Sequence, residues 1–165
     1  MQPTSLGRME RKSFAEMHCS VAQCLEVVGE WWTMLIVRDL FLGVRRFEEF
    51  QRRLGIARNV LSQRLDLLVD NEIITRRQYQ DHPVRHEYVL TKRGRDLWPV
   101  IEAMRQWGDT WSAPNGPPVE IVHDGCGQRT HVVPSCASCG EPLTVADVHA
   151  VPGPGADETS PLLRR

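Results

Sequence analysis

The stretch that most restricts how this chain can fold runs from Arg45 to Ile74, RRFEEFQRRLGIARNVLSQRLDLLVDNEII. Its apolar residues first recur at helical spacing. Phe47, Phe50 and Leu54 fall three and four apart, which predicts a helix over Arg46–Leu54 with one buried face. Gly55 breaks that helix. Leu61, Leu65 and Leu68 then form a second stripe, which predicts a helix over Arg58–Asn71. Beyond it the period falls to two. IITRRQYQ and HEYVLT read as strands, and DHPVR reads as the turn that joins them.

The flanks complete one domain. Val21–Val28 is a short apolar helix. Thr33 is placed to cap a second, with Leu35, Ile36, Leu40 and Phe41 on its buried face and Gly43 ending it. Lys92–Trp111 reads as a last long helix carrying Leu97, Ile101, Met104, Trp107 and Trp111. The expected boundaries are an amino-terminal arm over 1–18, a domain over 19–112, a linker at APNGPP, 113–118, a small extension over 119–153 and a disordered tail over 154–165. The fold class is mainly α with a small β-wing, a winged helix-turn-helix, plus a C-terminal β-hairpin or ribbon extension.

No apolar run approaches the roughly 20 residues that span a bilayer. The longest near the front, WWTMLIVRDLFL, is interrupted by Arg38 and Asp39. Residues 1–18 carry charges and no secretory apolar core, so the expected location is the cytoplasm, where thiols stay reduced. Five cysteines, an odd number, argue against a complete disulfide framework.

A net charge of −1 hides an asymmetry. Arg45–Arg95 holds twelve Arg and Lys against seven Asp and Glu, whereas Ala113–Arg165 holds three against six. A basic middle and an acidic tail fit a chain whose middle meets a polyanion. The second helix of the motif turns Asn59, Ser62, Gln63 and Arg64 away from its leucines, and such side chains can bond base edges. Arg45, Arg46, Arg52 and Arg53 are placed to meet phosphates, with Arg58 at the second helix's start. Arg85, beside His82 and Pro83, gives the hairpin a cationic tip.

From Cys19 to about Trp111 the chain resembles the HxlR-type branch of the MarR-like winged-helix transcription regulators. RRFEEF, VLSQRL, EYVLTKRGRDL and the late WG fall in that family's order and spacing. The resemblance implies a bacterial, homodimeric, DNA-binding regulator, with Asn59, Ser62, Gln63 and Arg64 in a major groove and Arg85 in the wing. The chain departs from the pattern at two places. Ala57-Arg58-Asn59 stands where relatives commonly have Ser-Pro-Lys, and losing a Ser cap costs about 1 kcal/mol. Glu30-Trp31-Trp32 stands where Gly-Lys-Trp is usual, and Trp31 could face a partner, a ligand or the core.

One recognition helix reads only a few base pairs, so useful specificity needs two half-sites about 34 Å apart. The long last helix and Val21–Val28 are therefore assigned to a dimer interface, and the expected partner is a pseudo-palindromic operator. Cys19 lies just before the first helix, where the helix field favours a thiolate. Some relatives sense oxidants or electrophiles through a cysteine at this place. A small buried side chain is the plainer fate of both Cys19 and Cys24.

Three of the five cysteines lie in HDGCGQRTHVVPSCASCG, His123–Gly140. VEIV and RTHVV read as strands with turns between and after them. His123 and Cys126 are H-x2-C, and Cys136 and Cys139 are C-x2-C, the layout of a zinc ribbon in which two tight turns supply four ligands. His131 and, less favourably, His149 are alternative fourth ligands. A Cys136–Cys139 or Cys126–Cys139 disulfide and a plain hairpin with free thiols are the rival readings. Any zinc would be structural.

The leading expectation is thus a transcription regulator, a repressor released by an oxidant, an electrophile or a small ligand. The alternative is a constitutive DNA-binding adaptor whose Cys-rich tail recruits a protein partner. An enzyme is not expected: no βαβ pattern surrounds the C-x2-C, and no phosphate loop, catalytic triad or carboxylate pair is visible.

Overall fold

A computed structural model describes residues 13–156. Residues 1–12 of the expected arm and 157–165 of the expected tail lie outside the described residues. Six helices and four strands follow in order: α1 (Ser20–Val28), α2 (Trp31–Phe41), α3 (Phe47–Leu54), α4 (Arg58–Asp70), β1 (Ile74–Gln80), β2 (Arg85–Leu90), α5 (Lys92–Arg95), α6 (Trp98–Trp111), β3 (Ile121–His123) and β4 (Gln128–Thr130). Among the described residues no helix is long and apolar enough to cross a membrane.

One core unites α2, α3, α4, the β1–β2 hairpin and α6, and Val27 of α1 packs against it. Ile36, Val37 and Leu40 of α2 meet Phe50 of α3, Ile56 of the turn, and Leu61, Leu65 and Leu68 of α4. Ile73, Ile74 and Leu90 close the root of the hairpin, and Ile101 arrives from α6. Each such side chain contributes about 1.5–3 kcal/mol when fully buried. Ile56 matters most for geometry, because it pins the short turn between α3 and α4 into the core. Gly55 makes that turn possible: its φ of 63° is left-handed, and its N–H closes α3 on Gln51.

β1 and β2 pair antiparallel, Ile74 with Leu90 through Gln78 with His86, and a bulge near the tip brings Gln80 opposite Arg85. Tyr88 fastens this wing to the helices. Its N–H donates to the Arg45 carbonyl at 2.8 Å, and its ring meets Phe50 edge-on with centroids 6.4 Å apart. Thr91 closes the wing's base, donating to the Glu72 carbonyl at 2.6 Å and accepting from the Gly94 N–H at 3.1 Å to cap α5.

Three details differ from the sequence expectations. α2 begins at Trp31 with Glu30 at its N-cap, and Thr33 is wholly buried inside the helix instead of capping it. On α2, Ile36, Val37 and Leu40 are buried, whereas Leu35 and Phe41 are only half-covered. The last helix is not continuous. Pro99 lacks an N–H and its ring excludes the carbonyl four residues back, so the chain breaks between Arg95 and Trp98 and restarts.

The extension is held on α6 by polar contacts. Arg105 pairs with Glu102 at 2.8 Å and Asp109 at 2.5 Å, and donates to the Val119 carbonyl at 3.1 Å. With its amide oriented to satisfy both groups, Gln106 donates to the Val132 carbonyl at 3.1 Å and accepts the Val132 N–H at 2.5 Å. β3 and β4 form a short hairpin, Ile121 opposite Thr130, and Ser135 bridges to Pro142 beyond it.

Candidate nucleic-acid interface

α4 is the exposed reading element. Leu61, Leu65 and Leu68 point into the core, which turns Arg58, Asn59, Ser62 and Gln63 outward, all four exposed. No side chain caps its N-terminus, where Ala57 stands at the N-cap in extended geometry, so the first N–H groups of α4 are left to solvent or a ligand.

Arg64 is placed differently from these four. It turns back toward the start of α2, with Nη2 3.4 Å from Glu30 Oε2, and its Nε is buried without a hydrogen-bond partner. Asp66 likewise closes the far end of the face by pairing with Arg76 of β1.

Cations frame this face on the wing side. A cleft of about 640 Å3 between α3 and the wing is lined by Arg45, Arg46, Arg52 and Arg85, with Glu48, Glu49 and Glu87 among them. The Arg46 guanidinium lies 4.7 Å from the centroid of the Tyr79 ring, and that of Arg58 lies 4.9 Å from the Phe47 ring. Such stacking holds a long cation in place without neutralising it. Exposed Arg85 stands at the start of β2, at the wing's tip.

Two of the four arginines assigned to phosphates do other work. Arg45 is half-buried and donates to the carbonyls of Leu40 at 2.5 Å and Val44 at 3.2 Å. Arg53 donates to Asp39 at 3.1 Å. Arg46 and Arg52 remain exposed. Sequence reasoning missed Tyr79 and Asp39, which orient cations from the wing and from inside the core. The available signals were an aromatic in an otherwise polar strand and an acid within an apolar helix.

Cys19 sits at the N-cap position of α1, half-buried, beside an open hollow of about 1000 Å3 that Met17, His18, Ala150 and Gly153 also line. Cys24 is half-buried inside α1. In the extension, His123 Nδ1 lies 3.3 Å from Cys126 Sγ. The backbone N–H groups of Cys139 and Ser138, then the Cys139 side chain, hydrogen-bond Cys136 and pull its thiol below the ordinary range. The two pairs are not brought together. Among the described residues no three His, Cys, Asp or Glu groups form a cluster fit for a metal. Each loop is closed by its own backbone hydrogen bonds.

A recognition helix over a short glycine turn, beside a hairpin with a cationic tip, defines a winged helix-turn-helix regulator that binds DNA. The chain belongs to the HxlR-like helix-turn-helix family, whose family model matches residues 27–115. It is similar to the uncharacterized HTH-type transcriptional regulator Rv3095 of Mycobacterium tuberculosis, at 47% identity over 137 residues, 82% of this chain and 87% of the relative. Among solved structures, PA1607, a putative transcription factor, matches with a TM-score of 0.75 at 37% identity, over 85% of this chain and 99% of that one. The redox regulator HypR in its oxidized form matches with a TM-score of 0.52 at 33% identity, over 56% of this chain and 96% of that one. The likeness to PA1607 therefore spans far more of this chain than the likeness to HypR does. This family is one of transcription regulators, not of enzymes.

Proposed function

We propose that this protein is a homodimeric repressor that reads a pseudo-palindromic operator in double-stranded DNA through Asn59, Ser62 and Gln63. The observation that carries the reading is the exposed polar face of α4, framed by Arg46, Arg58 and Arg85. Arg46, Arg58 and Arg85 bind phosphates and set the register, while the α4 side chains meet base edges. Arg64 contributes by holding α4 to Glu30 rather than by reading bases.

Dimerisation is supported by α6. Its apolar residues divide between two faces: Leu97 and Ile101 pack inward, while Val100, Met104, Trp107 and Trp111 form an outward stripe. Trp107 is 64% exposed and Trp111 73%. A contiguous aromatic stripe of this kind marks an interaction surface, and a second copy of α6 would cover it. Val21 and Leu25 of α1 are exposed as well.

Release by an oxidant or electrophile is supported by Cys19, which borders an open hollow, and by the likeness to a protein described as a redox regulator. The site of action would be the cytoplasm. Genomic DNA fragments selected by the purified protein test the reading. The expected result is recovery of a few inverted-repeat sites, bound by a dimer and released by diamide in the wild type but not in Cys19→Ser. Equal release from both proteins would remove Cys19 from the mechanism. Binding unaffected by any oxidant or electrophile would leave the constitutive adaptor.

A further inference from the structure

We infer that the loop pairs His123–Cys126 and Cys136–Cys139, which lie apart in this structure, close on one zinc ion that staples the extension into a ribbon against α6. Three independent features of the extension support it. The first is that its two loops are copies of one geometry. His123-Asp124-Gly125-Cys126-Gly127 and Cys136-Ala137-Ser138-Cys139-Gly140 place two soft donors three residues apart and a glycine directly after the second. In each loop that glycine is left-handed, with φ of 69° at Gly127 and 78° at Gly140. In each loop its N–H donates to the carbonyl of the first donor residue at 2.8 Å. An unselected pair of turns would have no reason to repeat donor spacing, backbone handedness and closing hydrogen bond together.

The second feature is the aim of the donors. His123 Nδ1 and Cys126 Sγ face each other at 3.3 Å, close enough to share one metal. The His123 ring lies over Gly125, where a Cβ would come within 2.9 Å of Cε1, so glycine there leaves the ring room to fold over its loop.

The third feature is the want of a core. Within 119–153 only Ile121, Val132 and Cys136 are even half-buried. A segment this exposed gains little from apolar burial, and small units of this kind are held by a metal or by disulfides. Between the loops, residues 127–135 are exposed apart from Val132, so little packing opposes the approach of one loop to the other.

The donor set selects the ion. Three thiolates and one imidazole are soft and suit tetrahedral zinc, not magnesium or calcium. On binding, the three thiols release their protons to solvent, and the neutral imidazole coordinates through Nδ1 with its proton on Nε2. Four protein ligands leave no position for a reacting water, so the ion is structural. Through Gln106–Val132 and Arg105–Val119 the stapled ribbon would brace α6, the helix that carries the outward stripe.

The test uses the full chain, purified reduced and without chelators. Elemental analysis is expected to give one zinc per chain, lost in Cys136→Ser and kept in His123→Cys, which replaces one good ligand with another. Cobalt in place of zinc is expected to show tetrahedral ligand-field bands and thiolate charge-transfer absorption that weakens in Cys126→Ser. Stripping the metal from the wild type should abolish amide-exchange protection in 119–153 and leave that of the core helices intact. Zinc-free protein with protection already present in 119–153 would overturn the inference. So would a Cys136–Cys139 disulfide in protein from reducing cells, or undiminished zinc in Cys136→Ser. The proposed repressor stands apart from this result, because operator binding is measured separately on the same preparations.

Discussion

Asp39 of α2 is wholly buried and accepts a hydrogen bond from Arg53 of α3 at 3.1 Å, while Arg38 holds its other oxygen at 2.9 Å. The first helix of the reading motif is thereby tied to the central core helix by a charge inside the protein. The hydrogen bond to Asp39, and then the Asp39 charge, raise Arg53 above its already high ordinary pKa. A raised basic group stabilises below its unfolded pKa, so this contribution stays constant across ordinary buffers. Asp39→Ala removes the link between α2 and α3, leaves a cavity and frees two exposed arginines to solvent, and is expected to lower the urea denaturation midpoint. Arg53→Ala should cost less, because Arg38 still covers the acid.

The two kinds of DNA contact separate under mutation. Gln63→Ala is expected to lower affinity for the selected operator about tenfold and to relax the preference at one base pair per half-site. Arg46→Ala and Arg85→Ala should weaken operator and random DNA alike. Each should also make the log–log salt dependence shallower, by about 0.9 for every phosphate that is no longer neutralised. Fluorescence anisotropy across a salt series reads both quantities. Arg64→Ala should instead lower thermal stability, with base preference unchanged, since its side chain meets Glu30.

Ala57 is an uncapped helix start in extended backbone, with φ −63° and ψ 140°. A serine there can accept an N–H from the first turn of α4. Ala57→Ser is expected to raise stability by about 1 kcal/mol, read as a higher denaturation midpoint at unchanged slope. An unchanged midpoint would mean that the free N–H groups are already satisfied.

The helices of the reading motif are legible in the sequence because burial follows period. On α3, Phe50 follows Phe47 by three and precedes Leu54 by four; on α4, Leu61, Leu65 and Leu68 recur at four and three; Phe50 and these three leucines are wholly buried. The change to period two locates the wing, and Ile74 and Leu90 are its buried root. What periodicity does not carry is the direction of a long side chain. Arg64 shares the α4 face with Gln63 in sequence, yet Glu30, over thirty residues away, draws it back. Arg53 reads as a phosphate ligand in sequence because nothing local marks Asp39 as its partner. On α6 the apolar residues are so frequent that two stripes fit one period, and only packing shows that Ile101 faces in and Trp107 out. In the extension the spacing of four donors is plain from the sequence, whereas the matching backbone of the two loops is not.

That division of α6 yields the sharpest test of assembly. Trp107 and Met104 lie on the outward stripe, away from Ile101, so a charge there should leave the winged domain folded. Trp107→Glu is expected to sediment as a monomer at micromolar concentration where the wild type is a dimer, with nearly the same circular dichroism. A monomer presents one α4 to DNA, so its affinity for an inverted repeat should fall by two orders of magnitude or more, while its affinity for a single half-site stays close to the wild-type value. Ile101→Glu should differ in kind, because burying a charge in the core unfolds the protein itself. A dimeric Trp107→Glu protein would place the partner copy on another face.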